Sequence, residues 1–135
     1  MSTRYVAGIG CRRGCSEQSL RELLTQSLSE HNLAVEQIAA LASIDSKRDE
    51  AGLSQFANNL KISVLYFSAE QLRHYADRVS PAEEIVLNNA GTNVAEASAL
   101  AGAEVLGGKN AKLIIRKRKN NEATFALAAI TEQPK

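Results

Sequence analysis

Apolar residues follow two different spacings along the chain, and the alternation between them predicts its elements. Short continuous apolar runs, typical of strands that are covered on both faces, occupy residues 5–9, 38–44 and 62–67. Leucines that recur every three or four positions predict a helix over about 17–31. The alanines within 38–44 are also compatible with a helix, so two assignments stay open for that run.

Polar residues at the ends of the apolar segments predict where the helices begin. The predicted N-caps are Ser16, Ser46 with Asp49, Ser68 with Gln71, and Asn93 with Glu96. Asn32 is a predicted C-terminal stop for the first helix. The segment 94–102 is rich in small residues, so we expect this helix to pack closely against a neighbour.

The stretch after the third apolar run is less regular. We expect a helix that starts at Ser68, carries Tyr75 and Val79 on its apolar face and ends at Ser80-Pro81. Residues 83–89 fit no single pattern.

The C-terminal part of the chain predicts a β-hairpin. Residues 112–118 and 123–130 are strand-like, and a two-residue turn at Asn120-Asn121 would join them. With this turn, Lys119 faces Glu122 across the hairpin. The last residues after the hairpin are expected to fray.

These elements place the chain in the α/β class, as a three-layer α/β/α sandwich with a mixed sheet and a C-terminal β-hairpin. We expect one domain over residues 1–135, because 44% hydrophobic and 23% charged residues are typical of a globular protein. No apolar run reaches the roughly 18 residues that a membrane helix needs, and the first residues do not resemble a signal peptide. The sequence therefore predicts a cytoplasmic protein with no membrane partner.

A glycine-rich turn between the first strand and the first helix is the clearest candidate for a binding site. Its residues are Gly8, Gly10, Cys11, Arg12, Arg13, Gly14 and Ser16. Glycines let the backbone approach a ligand, and the helix N-terminus and the two arginines favour an anion. The spacing is one residue longer than the dinucleotide fingerprint, and no phosphate-loop motif is present. A turn that needs glycine only for its geometry is an equally good interpretation.

The cysteines and histidines do not form a metal-binding pattern. Cys11 and Cys15 are four residues apart, and His31 and His74 have no ligand partner at a suitable spacing. The sequence therefore predicts no metal and no cofactor. A helix N-terminus and two arginines beside the cysteines could lower the pKa of one thiol.

A basic run near the C-terminus raises the question of nucleic acid. Its residues are Lys109, Lys112, Arg116, Lys117, Arg118 and Lys119. On a regular strand Arg116 and Arg118 point to one face and Lys117 to the other, so at most half of the run meets one partner. Aromatic residues make up 4% of the chain and its net charge is +1, so we predict no nucleic-acid partner and favour a charged edge strand.

Taken together, motifs along nearly the whole chain resemble a known family. They are Gly8-Ile9-Gly10-Cys11-Arg12-Arg13-Gly14, Ile44-Asp45-x-Lys47-x-Asp49-Glu50-x-Gly52-Leu53, Phe67-Ser68-Ala69-Glu70-x-Leu72, Val94-Ala95-Glu96-Ala97-x-Ala99, and Lys117 with Thr124-x-Ala126. The chain resembles the CobE family, which is similar to the C-terminal domain of the CbiG proteins of cobalamin biosynthesis. The resemblance implies a cytoplasmic role in building the corrin ring. CbiG proteins carry further N-terminal domains and hydrolyse a lactone on a cobalt-precorrin, releasing acetaldehyde.

The implied ligand is a precorrin or a compound like hydrogenobyrinic acid, a flat tetrapyrrole with many carboxylates around its rim. Such a corrinoid needs cations around a cleft and backbone donors at its floor. We expect Arg12, Arg13, Lys47 and Lys117 as the cations, and N–H groups between Gly14 and Ser16 as the donors.

Whether the chain is an enzyme stays open at this point. Glu50 and Glu96 are candidates for proton transfer or for orienting the cations, and each could equally be an acid that only stabilises a helix start. With hydrolase-type chemistry the chain would act on a precorrin. The alternative is a non-catalytic carrier that passes corrinoid intermediates between the enzymes of the pathway.

Overall fold

A computed structural model describes residues 3–79 and 93–131, and its centre is a five-stranded mixed sheet. The strands are β1 (Tyr5–Cys11), β2 (Ile38–Ile44), β3 (Val64–Phe67), β4 (Lys112–Lys119) and β5 (Ala123–Ala129). They lie across the sheet in the order β3-β2-β1-β5-β4. The first three strands are parallel, and β5 is antiparallel to both β1 and β4. The run 38–44 is thus a strand, and the predicted hairpin forms one edge of the sheet.

Helices cover both faces of this sheet. Those in the described residues are α1 (Glu17–Glu30), α2 (Ala51–Leu60), α3 (Ala69–Arg73) and α4 (Val94–Leu106). The side chains of α1 and α2 pack in one buried cluster, and those of α3 and α4 pack in another. The predicted three-layer α/β/α sandwich is therefore confirmed.

Strand β1 divides the core between the two faces. Ala7 and Ile9 lie in the cluster with the leucines of α1, whereas Val6 lies in the cluster with the alanines of α4. Successive side chains of a strand point to opposite faces, and here both faces are covered. This explains why the first apolar run shows no polar alternation.

The helix of small residues lies directly against the sheet, as its composition predicted. A Cβ atom on Gly8 would overlap the carbonyl oxygen of Ala95, and it would lie 2.7 Å from the backbone nitrogen of Ala99. Glycine at position 8 and small residues along α4 are therefore what lets the helix approach β1 so closely.

Most predicted helix ends are present. Ser16 Oγ accepts the N–H of Ser19 at 3.0 Å, and Ser68 and Gln71 form a reciprocal capping box. Asn32 follows the end of α1 with φ of 57°, in the left-handed region. The cap predicted at Ser46 with Asp49 is wrong, because residues 45–47 form a 3-10 turn and α2 begins only after Glu50.

The third helix is shorter than its apolar pattern suggests. The α-helix ends at Arg73, and a 3-10 turn follows at Ala76–Arg78. Tyr75 and Arg78 both contact Glu104 of α4, so a tertiary contact competes with a continuous helix here. The predicted stop at Ser80-Pro81 and the ambiguous residues 83–89 lie outside the described residues, as do residues 132–135.

The hairpin has a longer turn than predicted. Lys119 pairs with Thr124 and not with Glu122. The side chain of Asn120 closes the turn, because its Oδ1 accepts the N–H groups of Glu122 and Ala123, each at 2.9 Å. The backbone N–H of Asn120 also donates to the carbonyl of Ala123 at 3.0 Å, so Asn120 closes the turn with both its backbone and its side chain.

An irregular register in β4 overturns the predicted alternation of its basic residues. The pairing with β5 shifts between Ile115 and Arg118. Arg116 consequently lies 3.6 Å from Glu96 of α4, while Arg118 lies 2.6 Å from Glu30 of α1. The two arginines therefore lie on opposite faces of the sheet.

Within the residues that the structure defines, no helix is long enough and apolar enough to cross a membrane.

Candidate functional site

One edge of the sheet collects the loops that carry most of the predicted site residues. The parallel strands β1, β2 and β3 end there at Cys11, Ile44 and Phe67. Cys11 pairs with Ala123, so the turn of the β4–β5 hairpin lies at the same edge. Ligands of open α/β sheets bind at this carboxyl edge. The loops after β1 and β2 therefore lie at the same edge.

The glycine turn after β1 is anchored to the hairpin and exposes its arginines. The N–H of Arg12 donates to the carbonyl of Glu122 at 2.8 Å, and the N–H of Cys15 donates to the carbonyl of Arg12 at 3.0 Å. Gly14 has φ of 82°, a conformation that L side chains rarely adopt. Arg12 and Arg13 are both exposed at the tip of the turn.

Two carboxylates of the protein itself occupy the backbone donors of this turn. The N–H of Gly14 donates to Glu50 Oε1 at 2.8 Å, and the N–H of Ser16 donates to Glu122 Oε1 at 3.0 Å. The bond from Ser16 is the main cause that holds the pKa of Glu122 below its ordinary value. A ligand carboxylate would have to displace one of these side chains to reach the donors predicted between Gly14 and Ser16.

The loop after β2 brings Lys47 and Glu50 to the glycine turn. The N–H of Glu50 donates to the carbonyl of Lys47 at 3.1 Å, and the side chain of Glu50 reaches Gly14. Lys47 is partly buried, and its charge acts on the Cys11 thiol. Arg12, Arg13, Lys47 and Glu50 therefore lie on two loops in direct contact.

The pKa values of the two cysteine thiols are raised, whereas the sequence predicted that one of them is lowered. Both are free, Cys15 is buried, and burial raises the pKa of Cys11 and of Cys15. The contact with Cys15 raises the pKa of Cys11 further. The thiols are thus protonated at neutral pH, and the prediction of a lowered pKa is wrong because desolvation outweighs the nearby cations.

Glu96 and Lys117 form a second group, on the α4 face of the sheet. The Glu96 side chain is fully buried, and its Oε2 accepts the backbone N–H of Lys117 at 2.7 Å. Its Oε1 lies 3.6 Å from Arg116 Nη1. Lys117 is partly buried on β4. Strand β5 lies between β4 and β1, so β4 and β1 are two strand spacings apart, about 10 Å.

The start of α4 connects the two groups. A Cβ atom on Gly10 would lie 3.9 Å from Val94 Cβ and 2.5 Å from Thr124 Oγ1. The first residue of α4 is therefore next to the glycine turn, while Glu96, two residues later, reaches β4. The structure thus joins the predicted residues in two neighbouring groups, with Arg12, Arg13, Lys47 and Glu50 in one and Glu96 and Lys117 in the other.

Sequence reasoning missed three residues of this edge: Asn93, Arg116 and Glu122. Asn93 was recognised only as a cap, and Glu122 only as a turn residue. The position of Arg116 depends on the register shift in β4, which leaves no local signal in the sequence. Only the fold brings Glu122 to Ser16, 106 positions earlier in the chain.

A groove of about 390 Å³ lies elsewhere, between α3 and α4. It is lined by Phe67, Gln71, His74, Tyr75, Ala101, Glu104, Val105 and Lys109. None of the predicted site residues contributes to it. Across residues 3–79 and 93–131, no cluster of three or more His, Cys, Asp and Glu residues is suited to hold a metal ion.

Comparisons with known proteins agree on one family. The family model described as cobalamin synthesis G C-terminus matches residues 5–128. Protein CobE of a Sinorhizobium species is 31% identical over 124 residues, which are 91% of this chain and 78% of that protein. A crystal structure of CobE, described as a protein from the cobalamin (vitamin B12) biosynthetic pathway, superposes with a TM-score of 0.90 at 43% identity, covering 99% of this chain and 95% of that one.

A longer relative contains the same region as a part. The cobalt-precorrin-5A hydrolase of Priestia megaterium is 26% identical over 125 residues, which are 91% of this chain but 31% of the hydrolase. The chain thus spans less than a third of that enzyme.

Proposed function

Since the chain belongs to the family of the cobalamin synthesis G C-terminus and takes part in cobalamin biosynthesis, we propose that it binds a polycarboxylate precursor of the corrin ring. The binding site is the carboxyl edge of the sheet, around the glycine turn. The protein works in the cytoplasm, where it meets the other enzymes of this pathway.

The observation that carries this proposal is the contact between the loops after β1 and β2. The hydrogen bond from Gly14 to Glu50 joins Arg12 and Arg13 on one loop to Lys47 on the other. Precursors of the corrin ring carry several carboxylates around an apolar macrocycle. Forked guanidinium groups and an ammonium group along one edge match that pattern of charge.

The catalytic contribution of the chain is a separate matter, and the contacts of the two candidate acids favour a carrier. Glu50 is bonded to the N–H of Gly14, and Glu96 is buried and bonded to the N–H of Lys117. Both carboxylates therefore hold backbone in place. The relation to a cobalt-precorrin-5A hydrolase supports the other view, in which Glu50 or Glu96 transfers a proton during hydrolysis.

Titration with hydrogenobyrinic acid tests the binding proposal. We expect tight binding that weakens as salt is added, because exposed charges contribute to it. Arg13→Ala should weaken binding by about tenfold or more, since a hydrogen bond to a charged group contributes about 1.5–3 kcal/mol. Isothermal titration calorimetry measures both effects.

Lys112→Ala is the matched control, because it also removes one exposed positive charge but lies at the opposite end of β4. Its affinity should stay within about twofold of the wild type, as expected for a remote and screened charge. An equal loss in both variants, or no binding of hydrogenobyrinic acid and of late precorrins by the wild type, would contradict the proposal.

Excess substrate separates an enzyme from a carrier. If the protein only carries the intermediate, the change in the ultraviolet–visible spectrum of a precorrin is proportional to the amount of protein and does not grow with time. Continued conversion of a tenfold excess, abolished in Glu50→Gln or Glu96→Gln, would instead establish turnover and assign the proton-transfer role.

A further inference from the structure

Of the helices that begin at the carboxyl edge of the sheet, α1 has an N-terminus that is already neutralised. Glu122 Oε1 accepts the N–H of Ser16 at 3.0 Å, and the Ser16 hydroxyl accepts the N–H of Ser19. Glu17 adds a negative charge in the first turn. The partial positive charge of this helix end is therefore met by the protein's own groups.

The N-terminus of α4 has an unused donor instead. Asn93 caps the helix, because its Oδ1 accepts the N–H of Glu96 at 3.1 Å. The Nδ2 of the same amide is buried and has no hydrogen-bond partner among the residues that the structure describes. Asn93 is only 5% exposed, so solvent does not compensate the missing bond. An unpaired buried donor costs about 1–3 kcal/mol, and the amide is thus set to meet an acceptor.

The backbone adds donors at the same place. The first N–H groups of an α-helix have no carbonyl partner within the helix, which applies to Val94 and Ala95. Val94 is partly exposed and lies beside Gly10 of the glycine turn. The helix end therefore lies beside the loop that carries Arg12 and Arg13.

Glu96, the acid in the first turn of α4, is bound to β4. Glu96 accepts the N–H of Lys117 at 2.7 Å and lies 3.6 Å from the Arg116 guanidinium. Its negative charge is thus stabilised from β4.

We propose that the N-terminus of α4, and not that of α1, receives a carboxylate of the ligand, with Asn93 Nδ2 and the N–H groups of Val94 and Ala95 as its donors. This inference rests on the proposed function, and it assigns one recognition point for a carboxylate on the rim of the macrocycle. Arg12 and Arg13 then contact other carboxylates along the neighbouring turn.

Substitution of Asn93 tests the inference with hydrogenobyrinic acid as the probe. Asn93→Asp keeps an oxygen that caps Glu96 but replaces the donor with a negatively charged acceptor, and it should weaken binding by about a hundredfold. Asn93→Ser keeps a capping oxygen without a donor and should weaken binding by about tenfold. Because Ser is a good N-cap, Asn93→Ser should melt close to the wild type. Asn93→Asp keeps the cap but should melt lower, since it buries a second carboxylate near Glu96.

Ser68→Asp is the matched control, since Ser68 caps α3 at the same edge and the substitution adds the same charge. Its binding should change by no more than about twofold. NMR gives an independent measurement. The side-chain amide signal of Asn93 in ¹⁵N-resolved spectra of the wild type should change its chemical shift when hydrogenobyrinic acid is added.

The outcomes separate this inference from the proposed function. If Arg13→Ala loses binding while Asn93→Asp binds like Ser68→Asp, the proposed function is supported and the carboxylate site at α4 is contradicted. Failure of the wild type to bind the probe would overturn both. Weaker binding of Asn93→Ser with an unchanged melting temperature, together with the NMR shift, would establish the α4 site.

Discussion

At the scale of single residues, backbone N–H groups decide where the carboxylates of this protein lie. Glu50 bonds to Gly14, Glu122 to Ser16, and Glu96 to Lys117. Each pair is distant in sequence, so the acids act as ties between loops or strands. Their charges are thereby fixed next to the basic residues of the candidate site, and they limit which donors a ligand reaches.

Glu104 is the clearest case of such a tie and gives a prediction for stability. Its side chain is 16% exposed and accepts hydrogen bonds from the Tyr75 hydroxyl, Arg78 and the N–H groups of Asn110 and Ala111, at 2.9–3.1 Å. Burial alone raises the pKa of Glu104, but these hydrogen bonds outweigh it and the pKa is lowered. A lowered pKa in the folded state means stability that is present above the unfolded-state pKa and is lost as the pH falls through the folded-state value.

Glu104→Gln should therefore be less stable than the wild type at pH 7, by about 1–3 kcal/mol, because a neutral amide replaces a charged acceptor. It should also lose less stability on acidification. Urea unfolding between about pH 7 and pH 3 measures both. Glu36→Gln, at an exposed position, is the control. Parallel pH curves for Glu104→Gln and the wild type would contradict the prediction.

At the scale of elements, the close contact between α4 and β1 organises one half of the molecule. Ala95, Ser98 and Ala99 leave room for the strand, and the Ser98 hydroxyl bonds to the carbonyl of Ala42 at 3.3 Å. A helix this close to the sheet holds its own N-terminus beside Gly10. The position of Asn93 in the candidate site thus follows from the packing of small residues in the first two turns of α4.

Substitution of two glycines tests how tightly this contact is packed. Gly8→Ala should destabilise the protein by about 3 kcal/mol or more, because the new methyl group meets the backbone of Ala95, which cannot move alone. Gly102→Ala should cost less, about 1 kcal/mol or below. Its methyl meets the Val6 side chain at 2.8 Å, and alanine improves the helix propensity. The midpoints of urea unfolding compare the stability of the two variants. Equal losses of stability would contradict the prediction, because they would mean that α4 and β1 can move apart to accommodate the methyl group on residue 8.

At the scale of the whole molecule, the net charge of +1 conceals an uneven distribution. Arg12, Arg13 and Lys47 lie together at the carboxyl edge of the sheet, whereas Arg118 is paired with Glu30 of α1. Total charge therefore says little about the ligand, and the local arrangement of charges carries the functional argument. The CobE structure superposes on nearly the whole chain, so the two proteins share the fold that forms this edge of the sheet.

Much of the architecture could be predicted from the sequence because it depends on local pattern. Apolar runs, leucine spacing and capping residues predicted the strands and most of the helices, and the glycine turn identified one edge of the sheet. The failures were local as well. A 3-10 turn forms where a helix cap was predicted at Ser46. The helix after Ser68 ends at Arg73, and Tyr75 beyond it donates a hydrogen bond to Glu104.

By itself the sequence determined the three-layer fold, the family, and the loops from which the cations come, since these follow from periodicity and from motifs within short stretches. The tertiary structure alone decided which donors are in use. Glu122 reaches Ser16 from 106 positions away, and a register shift turns Arg116 toward Glu96. Desolvation of the cysteines likewise depends on what packs around them. Long-range contacts of this kind depend on which elements α4 and the hairpin pack against. The small residues of α4 predicted a close contact but not its partner, β1.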